Sequence, residues 1–450
     1  MLENLIAELF DEIVALLKPP DLYALRLASR HLEQKSRSAF SSLAFSDVTT
    51  DFSSASIQRL SCIGNSRLGP AVRRLHVGDW GDDRERLSRW GRDAPYGRGG
   101  YWPRLENGAV DPGSALVAEF STAMSRFPNC AAATITDELV RIGGHPSNVG
   151  PERCLSSSDA AELVLRAYSV PGAPPLRSFR VLIHRGVDWQ PKENITGATV
   201  ASAQRALAGH LQELVFKSNG PETDDQLSLM LDLVTASQSL TILRLFCGCP
   251  VAREGYAETG FLLGRRLKGF MLPLEHLTLS GITMRGADLC TLLSQWSTTL
   301  ETLAFHDTEI SPGLWTSVLQ HLHNVPFTRL RRFSMQRCLD GDRVTTAFCP
   351  LWKMKTELEK LCDCEFEFKY WRTNRSGTRE FHVTGVLFEP RRGPPGMRQG
   401  LRAIMEYSHR PSVEPGVTPP CASDQEIRVC GLARDTHRGW TGLGPEYRSS

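Results

Sequence analysis

Leu274-Glu-His-Leu277-Thr-Leu279 decides how the second half of this chain folds, because the same pattern, apolar-x-x-apolar-x-apolar, returns on both sides of it with its phase intact. Upstream are Leu176-Arg-Ser-Phe179-Arg-Val181, Leu211-Gln-Glu-Leu214-Val-Phe216 and Leu240-Thr-Ile-Leu243-Arg-Leu245. Downstream are Leu300-Glu-Thr-Leu303-Ala-Phe305 and Leu330-Arg-Arg-Phe333-Ser-Met335. Alternation inside each unit puts every second side chain on one face, which is the period of a β-strand. Between the units the spacing changes to that of a helix: residues 226–235 carry Leu227, Met230, Leu231 and Val234, and residues 287–296 carry Leu289, Leu292 and Leu293. Turn-forming pairs such as Ser280-Gly281 and His306-Asp307 close several strands.

A strand-then-helix unit that recurs in phase predicts an α/β architecture, read here as an irregular leucine-rich-repeat-like solenoid. Successive units start 26 to 35 residues apart, longer and less even than the common leucine-rich period. The apolar triplet then faces the interior, and Arg244, Thr278, Ala304 and Ser334 face the concave surface. The alternative is a general α/β domain whose parallel strands share a pattern. Val72-Arg-Arg-Leu75-His-Val77 is an earlier copy of the unit and Cys130-x-x-Ala133-x-Ile135 a weaker one.

Residues 79–113 interrupt the periodicity and read as a long exposed insertion. Arg84, Arg86, Arg89, Arg92 and Arg98 beside Trp90, Tyr96 and Trp102 have the ingredients for stacking on single-stranded nucleic acid. Asp79, Asp82, Asp83, Glu85 and Asp93 offset that charge, so no nucleic-acid partner is expected, and Asp82-Asp83 has no third ligand placed for a metal. Residues 365–389 alternate on either side of Asn374-Arg-Ser-Gly377 and predict a terminal hairpin. From Arg391-Arg392-Gly393-Pro394-Pro395 onward the composition predicts a disordered tail over 391–450.

At the other end, Leu5, Leu9, Ile13, Leu16 and Leu17 recur at helical intervals, with Glu8, Asp11 and Glu12 on the other face. Lys18-Pro19-Pro20 is read as the stop and Asp21 as the N-cap of a second helix carrying Leu22, Leu25 and Leu27. A break at Ser29-Arg30 and a third helix over 31–38 lead through Phe40, Leu43 and Phe45 to a strand near 46–50. So short a helical unit has too small a core to be robust alone. It serves either as a cap on the larger core or as a module that leans on a partner.

Leu5-Ile6-Ala7-Glu8-Leu9, Glu12-Ile13, Leu16-Leu17, Pro20-Asp21-Leu22 and Leu25-Arg26-Leu27-Ala28-Ser29-Arg30 together resemble an F-box in the form common in fungal F-box-like proteins. Ile6 stands where that family usually has Pro. The resemblance spans about a tenth of the chain and implies a helical module that docks on a Skp-family adaptor and, through it, on a cullin scaffold. Fungal F-box-like proteins often carry divergent leucine-rich repeats after this module, an order of parts similar to the one here. The residues assigned to adaptor binding are Leu5, Glu8, Leu9, Ile13, Leu16, Asp21, Leu22 and Leu25. Those that would hold a substrate are not specified by sequence.

The expected organisation is thus an F-box-like module over 1–48, the start of the repeats over 49–170, a solenoid with terminal hairpin over 171–390, and the tail. With 450 residues, 41% of them hydrophobic, the chain buries real cores, and a formal net charge of only +2 gives no global field for a polyphosphate or an anionic membrane. The 12 Cys include no Cys-x-x-Cys, and the Cys247/Cys249 and Cys362/Cys364 pairs lack a second pair at finger-like distance, so reduced thiols and no metal are expected. No run of about eighteen apolar residues and no basic, signal-like N-terminus is present, which predicts a cytoplasmic or nuclear protein off the membrane. Phosphate-loop, dinucleotide, nucleophile-elbow and zinc-protease motifs are missing. His306-Asp307, Cys290 and Cys338 stand in no recognisable catalytic context. The expectation is a non-enzyme without cofactor: a substrate-recognition adaptor of a Skp/cullin/F-box ubiquitin ligase, with an unknown protein substrate on the repeats. The alternative is a repeat-based interaction or structural protein without ligase coupling.

Overall fold

Every unit of the repeated pattern forms a strand, and the strands pair with one another in the order in which they are synthesised. The computed structural model describes residues 5–78, 103, 110–136, 157–183, 209–218, 224–247, 263–340, 364–375, 378–390 and 394–407. The long strands are β1 (Asp47–Thr50), β2 (Arg74–Val77), β3 (Ala132–Thr136), β4 (Ser178–Ile183), β5 (Glu213–Ser218), β6 (Ile242–Phe246), β7 (His276–Ser280), β9 (Thr302–His306), β11 (Arg332–Gln336), β13 (Cys364–Arg375) and β14 (Thr378–Pro390). They form one eleven-stranded sheet in the order β1-β2-β3-β4-β5-β6-β7-β9-β11-β14-β13. Pairing is parallel from β1 to β11, and antiparallel between β11 and β14 and between β14 and β13. Three two-residue strands, β8 (Thr283–Met284), β10 (Glu309–Ile310) and β12 (Leu339–Asp340), make a second, small parallel sheet.

Helices α5 (Ser54–Gly64), α6 (Ala115–Ser125), α7 (Ser157–Ser169), α8 (Asp224–Ala236), α9 (Gly286–Gln295) and α10 (Trp315–Asn324) lie between the strands in sequence. α5 packs on α6, α6 on α7 and α9 on α10. This corrects the expected irregular leucine-rich-repeat-like solenoid: the chain is an α/β fold with a central, mostly parallel sheet, flanking helices and an antiparallel end. Continuous strand pairing is the finding that overturns it. The physical reason lies in the spacing, since parallel neighbours need a crossover of roughly a dozen residues or more, usually helical, and gaps of 26 to 35 residues supply one.

Register makes the sheet two-sided. Val48, Leu75, Ala133, Phe179, Leu214, Leu243, Leu277, Leu303, Phe333 and Phe388 stand directly opposite one another across ten strands, and all are buried. Two residues along, Thr50, Val77, Ile135, Val181, Phe216, Leu245, Leu279, Phe305, Met335 and Val386 form a second buried row. These rows share one apolar cluster with helix residues such as Ile57, Leu60, Phe120, Val164, Val234, Leu292 and Val318. Phe305 is held at its centre, its ring 5.0 Å from Trp315 and 6.2 Å from Phe333.

Three strands end in the same way. Gly281, Asp307 and Arg337 take φ of 68°, 48° and 49° directly after β7, β9 and β11, and the Arg337 guanidinium pairs with the Asp307 carboxylate between two of these turns. Asp tolerates the left-handed region better than most residues, and the ion pair opposes the strain at Arg337. In the position that follows, the buried Thr308 hydroxyl donates to the Leu279 and His306 carbonyls, and the buried Cys338 thiol to those of Phe305 and Gln336. Polar carbonyls inside the fold are thereby satisfied. Asp340 of β12 accepts from the Trp315 backbone N–H at 2.8 Å and so caps the start of α10.

The ends of the chain add three further differences. Helix α11 (Pro394–Tyr407) buries Met397, Leu401 and Ile404 and packs on α10, so disorder does not begin at 391; the rest of the expected tail lies outside the described residues. Gly400 permits this docking, because a Cβ there would sit 2.6 Å from Phe388 Cε2. The expected 79–113 insertion also lies almost wholly outside the described residues. Finally, four N-terminal helices form where three were expected: α1 (Ala7–Ala15), α2 (Pro19–Ala28), α3 (Arg30–Lys35) and α4 (Arg37–Phe45). Pro19 and Pro20 start α2 instead of ending α1, as their missing N–H costs nothing in a first turn, and Asp21 lies inside the helix with Lys18 at the cap.

Truncating Phe305 to Ala is expected to cost about 3–5 kcal/mol of stability, whereas Thr278→Val on the opposite face is expected to stay within about 0.5 kcal/mol. Urea unfolding followed by far-UV circular dichroism measures both, and equal midpoints would contradict the sidedness of the sheet.

Candidate functional site

Among the described residues, the N-terminal helices enclose a core of four buried side chains, Phe10, Val14, Leu22 and Leu32, against which Leu5, Leu17, Leu25, Ala39 and Phe40 pack. Arg26 lies 3.8 Å over the Phe40 ring and bonds Glu33 at 2.9 Å, while Lys35 donates to the Leu5 carbonyl at 2.7 Å. With Phe10 and Val14 inward, helical geometry turns the residues at intermediate positions outward. Ile6, Leu9, Ile13 and Leu16 therefore form a stripe along α1, exposed by 62%, 48%, 37% and 86%. Tyr23, Leu27 and Leu43 are exposed on α2 and α4. Seven of the eleven large hydrophobic side chains exposed among the described residues thus fall between residues 6 and 43.

Against this geometry the residues assigned to adaptor binding separate into two groups. Leu9, Ile13 and Leu16 lie on the exposed stripe, with Glu8 beside them and Asp21 exposed on α2. Leu22 is 1% exposed and belongs to the module's own core, and Leu5 and Leu25 are half-buried against it. Ile6 and Leu27 were absent from that assignment. Their signal was present in the spacing, where Ile6 continues the Leu9, Ile13, Leu16 series one step toward the N-terminus.

A second candidate surface is the face of the sheet turned away from the helices. It carries a half-exposed polar residue in most strands, including Thr49, His76, Thr134, Arg180, Lys217, Arg244, Thr278, His306 and Ser334. Two carboxylates on it are tied down by neighbours. Asp47 accepts from Arg74 Nε at 2.7 Å, from His76 Nε2 at 3.0 Å and from Ser46 Oγ at 2.6 Å. The His76 hydrogen bond, with help from Ser46 and the Arg74 charge and against partial burial, holds the Asp47 carboxyl at about 2 in place of 3.8. Glu213 receives both Arg180 Nη2 contacts at 2.8 Å and the Ser178 hydroxyl at 2.6 Å.

Burial disfavours the thiolate at three of the cysteines. Burial pushes the Cys130 thiol up to about 12 despite its contact with the Tyr168 hydroxyl at 3.3 Å, and raises Cys338 and, more modestly, Cys290. His306 and Asp307 do not form a pair; Asp307 is bound to Arg337. Among the described residues no group of three or more His, Cys, Asp or Glu side chains is placed to hold a metal ion, and no helix is long and apolar enough to cross a membrane. Comparison of the sequence with protein-family models and with curated proteins finds no match.

Because Asp47 titrates lower in the folded chain than in the unfolded one, its contribution to stability is complete above about pH 4 and is lost as pH falls toward 2. Urea midpoints of wild type and Asp47→Asn, measured from about pH 6 downward, are therefore expected to differ most at the upper end and to converge near pH 2. Parallel curves would remove the assigned ion-pair network.

Proposed function

We propose that the chain is a non-catalytic recognition subunit of a Skp/cullin/F-box type of ubiquitin ligase, acting in the cytoplasm or nucleus. The α1–α4 module holds a Skp-family adaptor, and the face of the sheet opposite the helices presents a protein substrate to the other subunits. The concentration of exposed apolar side chains on the N-terminal helices is the observation that carries this reading. Exposed apolar side chains so concentrated mark an interaction site, and an amphipathic helix laid into an apolar groove draws its affinity from a few desolvated anchors. Leu9, Ile13, Leu16 and Ile6 are those anchors, and Phe10, Val14 and Leu22 hold the module's shape behind them.

Ile6 is the departure from the F-box pattern, and its backbone supports the reading. Its φ of −62° at the N-cap of α1 is the angle that proline imposes, so the chain follows the same path there without the ring. A protein-interaction or structural role without ligase coupling would use the same two surfaces with a different partner on α1.

Co-purification of the full chain with a Skp-family adaptor separates the two. Wild type is expected to bind, and Leu9→Asp with Ile13→Asp to lose at least about 100-fold in affinity, near 2.7 kcal/mol, with an unchanged unfolding midpoint. A folded wild type that fails to bind leaves the uncoupled role standing.

A further inference from the structure

The large sheet ends on a long strand. β13 has twelve residues, where strands usually have roughly 5–6, and among the described residues it pairs with β14 alone. An edge strand is a template for any extended chain, and proteins blunt such edges by shortness, proline or a bulge. β13 uses none of these: Cys-Glu-Phe-Glu-Phe-Lys-Tyr-Trp-Arg-Thr-Asn-Arg contains no proline, and the register shift between Lys369 and Tyr370 leaves its extra residue, Thr384, on β14.

β13 and β14 also outrun their neighbour. β11 pairs only with residues 385–388 of β14, so residues 370–375 and 378–383 continue past it as a two-stranded ribbon. Two strands alone are marginal in water, and a third is what makes such a ribbon stable. The bulge at Thr384 stands where the ribbon leaves β11.

Charge along β13 is divided between its two halves. Glu365 and Glu367 come first, and Lys369, Arg372 and Arg375 follow. On β14, Glu365 stands opposite Glu389, Arg372 opposite Phe381 and Arg375 opposite Thr378. Like charges directly opposite are unfavourable, so the Glu365 position gains from a cation on its other side. A strand that begins acidic and ends basic complements a second copy of itself running antiparallel.

Backbone geometry narrows the register. Alternate residues of a strand turn their N–H and C=O groups to a given edge, and both copies turn the same ones, so the two-fold axis must pass through a residue position and not between two. Axes at Lys369 and Tyr370 pair the longest stretch of β13. The first sets Lys369 against itself, whereas the second brings Glu365 of each copy opposite Arg375 of the other.

We infer that the outer edge of β13 pairs antiparallel with β13 of a second copy of this chain, with Tyr370 on the axis and residues 365–375 in register. Each projecting ribbon then gains its third strand from the sheet of the other copy, and the sheet runs continuously through both. The interface is closed and self-complementary, and it leaves the α1 stripe to its own partner.

Sedimentation velocity of the full chain is expected to show a concentration-dependent dimer. Hydrogen exchange is expected to slow at amides within 365–375 as the dimer forms. Because the axis doubles every contact, Arg375→Glu alone and Glu365→Arg alone are each expected to weaken the dimer about tenfold. Glu365→Arg combined with Arg375→Glu exchanges the charges and restores it, a recovery that general damage to the hairpin would not give. Unfolding midpoints confirm that each variant is folded, and Leu9→Asp with Ile13→Asp is expected to leave the dimer intact. A folded wild type that stays monomeric at about 100 µM, single reversals without effect, a double exchange that fails to recover, or exchange protection on α1 in place of β13 would each overturn the inference.

Discussion

A β-strand has two faces, and in this protein the apolar side chains fill one of them across ten consecutive strands. From Val48 to Phe388 the residues at one register level are buried without exception, and those two positions along repeat the pattern from Thr50 to Val386. Burying such rows is worth on the order of 1.5–3 kcal/mol for each large side chain, which makes a one-residue slip of any strand untenable, since it would exchange core for solvent. The flanking helices are fixed by the same rows, because they supply the opposite half of the apolar cluster. Whatever polar chemistry the sheet has must then occupy the remaining face.

That restriction explains the character of the outward face. Side chains there stand close to their cross-strand neighbours, so charges at adjacent register positions meet. Arg180 and Glu213, and Asp47 with Arg74 and His76, are the result. The turns that end β7, β9 and β11 bring the same economy to the strand ends, with Thr308 and Cys338 satisfying carbonyls that a parallel sheet leaves inside the fold. Rigid support behind a polar surface is a reasonable platform for recognition, because the strands do not have to be ordered when a partner arrives.

The N-terminal helices obey a different balance. Four buried side chains are a small core, and more large apolar residues of the module are exposed than are fully buried. The module is nonetheless tied to the sheet through Ser46, whose carbonyl accepts from the Arg73 and Arg74 backbone N–H groups at 2.7 and 2.9 Å just where α4 gives way to β1. A partner on α1 would therefore be held in a defined place relative to the first strands.

Alternation around Leu277 and Leu279 was enough to place strands and to say which side chains face inward, and the helical spacing of Leu289, Leu292 and Leu293 placed a crossover. Periodicity alone did not distinguish a solenoid from a continuous α/β sheet, because both repeat strand and helix in phase; pairing partners are set by contacts far apart in sequence. Pro19 and Pro20 were ambiguous for a local reason, since proline both ends one helix and begins the next. Helix α11 was legible in the spacing of Met397, Leu401 and Ile404, one helical turn apart, but the Pro- and Gly-rich stretch that opens it read as a disordered tail, and in α4 the closely set Phe40, Leu43 and Phe45 do not mark a single helical face.

By itself, then, the sequence determined the alternation of elements, the inward row of each strand and the amphipathic character of the first helix, all of which follow from the fixed geometry of strands and helices. Only the tertiary structure decided that Phe10 and Val14 are the inward side of α1 while Leu9 and Ile13 are left outside, and that Arg180 meets Glu213 across neighbouring strands. An apolar residue carries the same driving force for burial wherever it stands, and which of several candidates is buried depends on the surface that the rest of the chain brings to it.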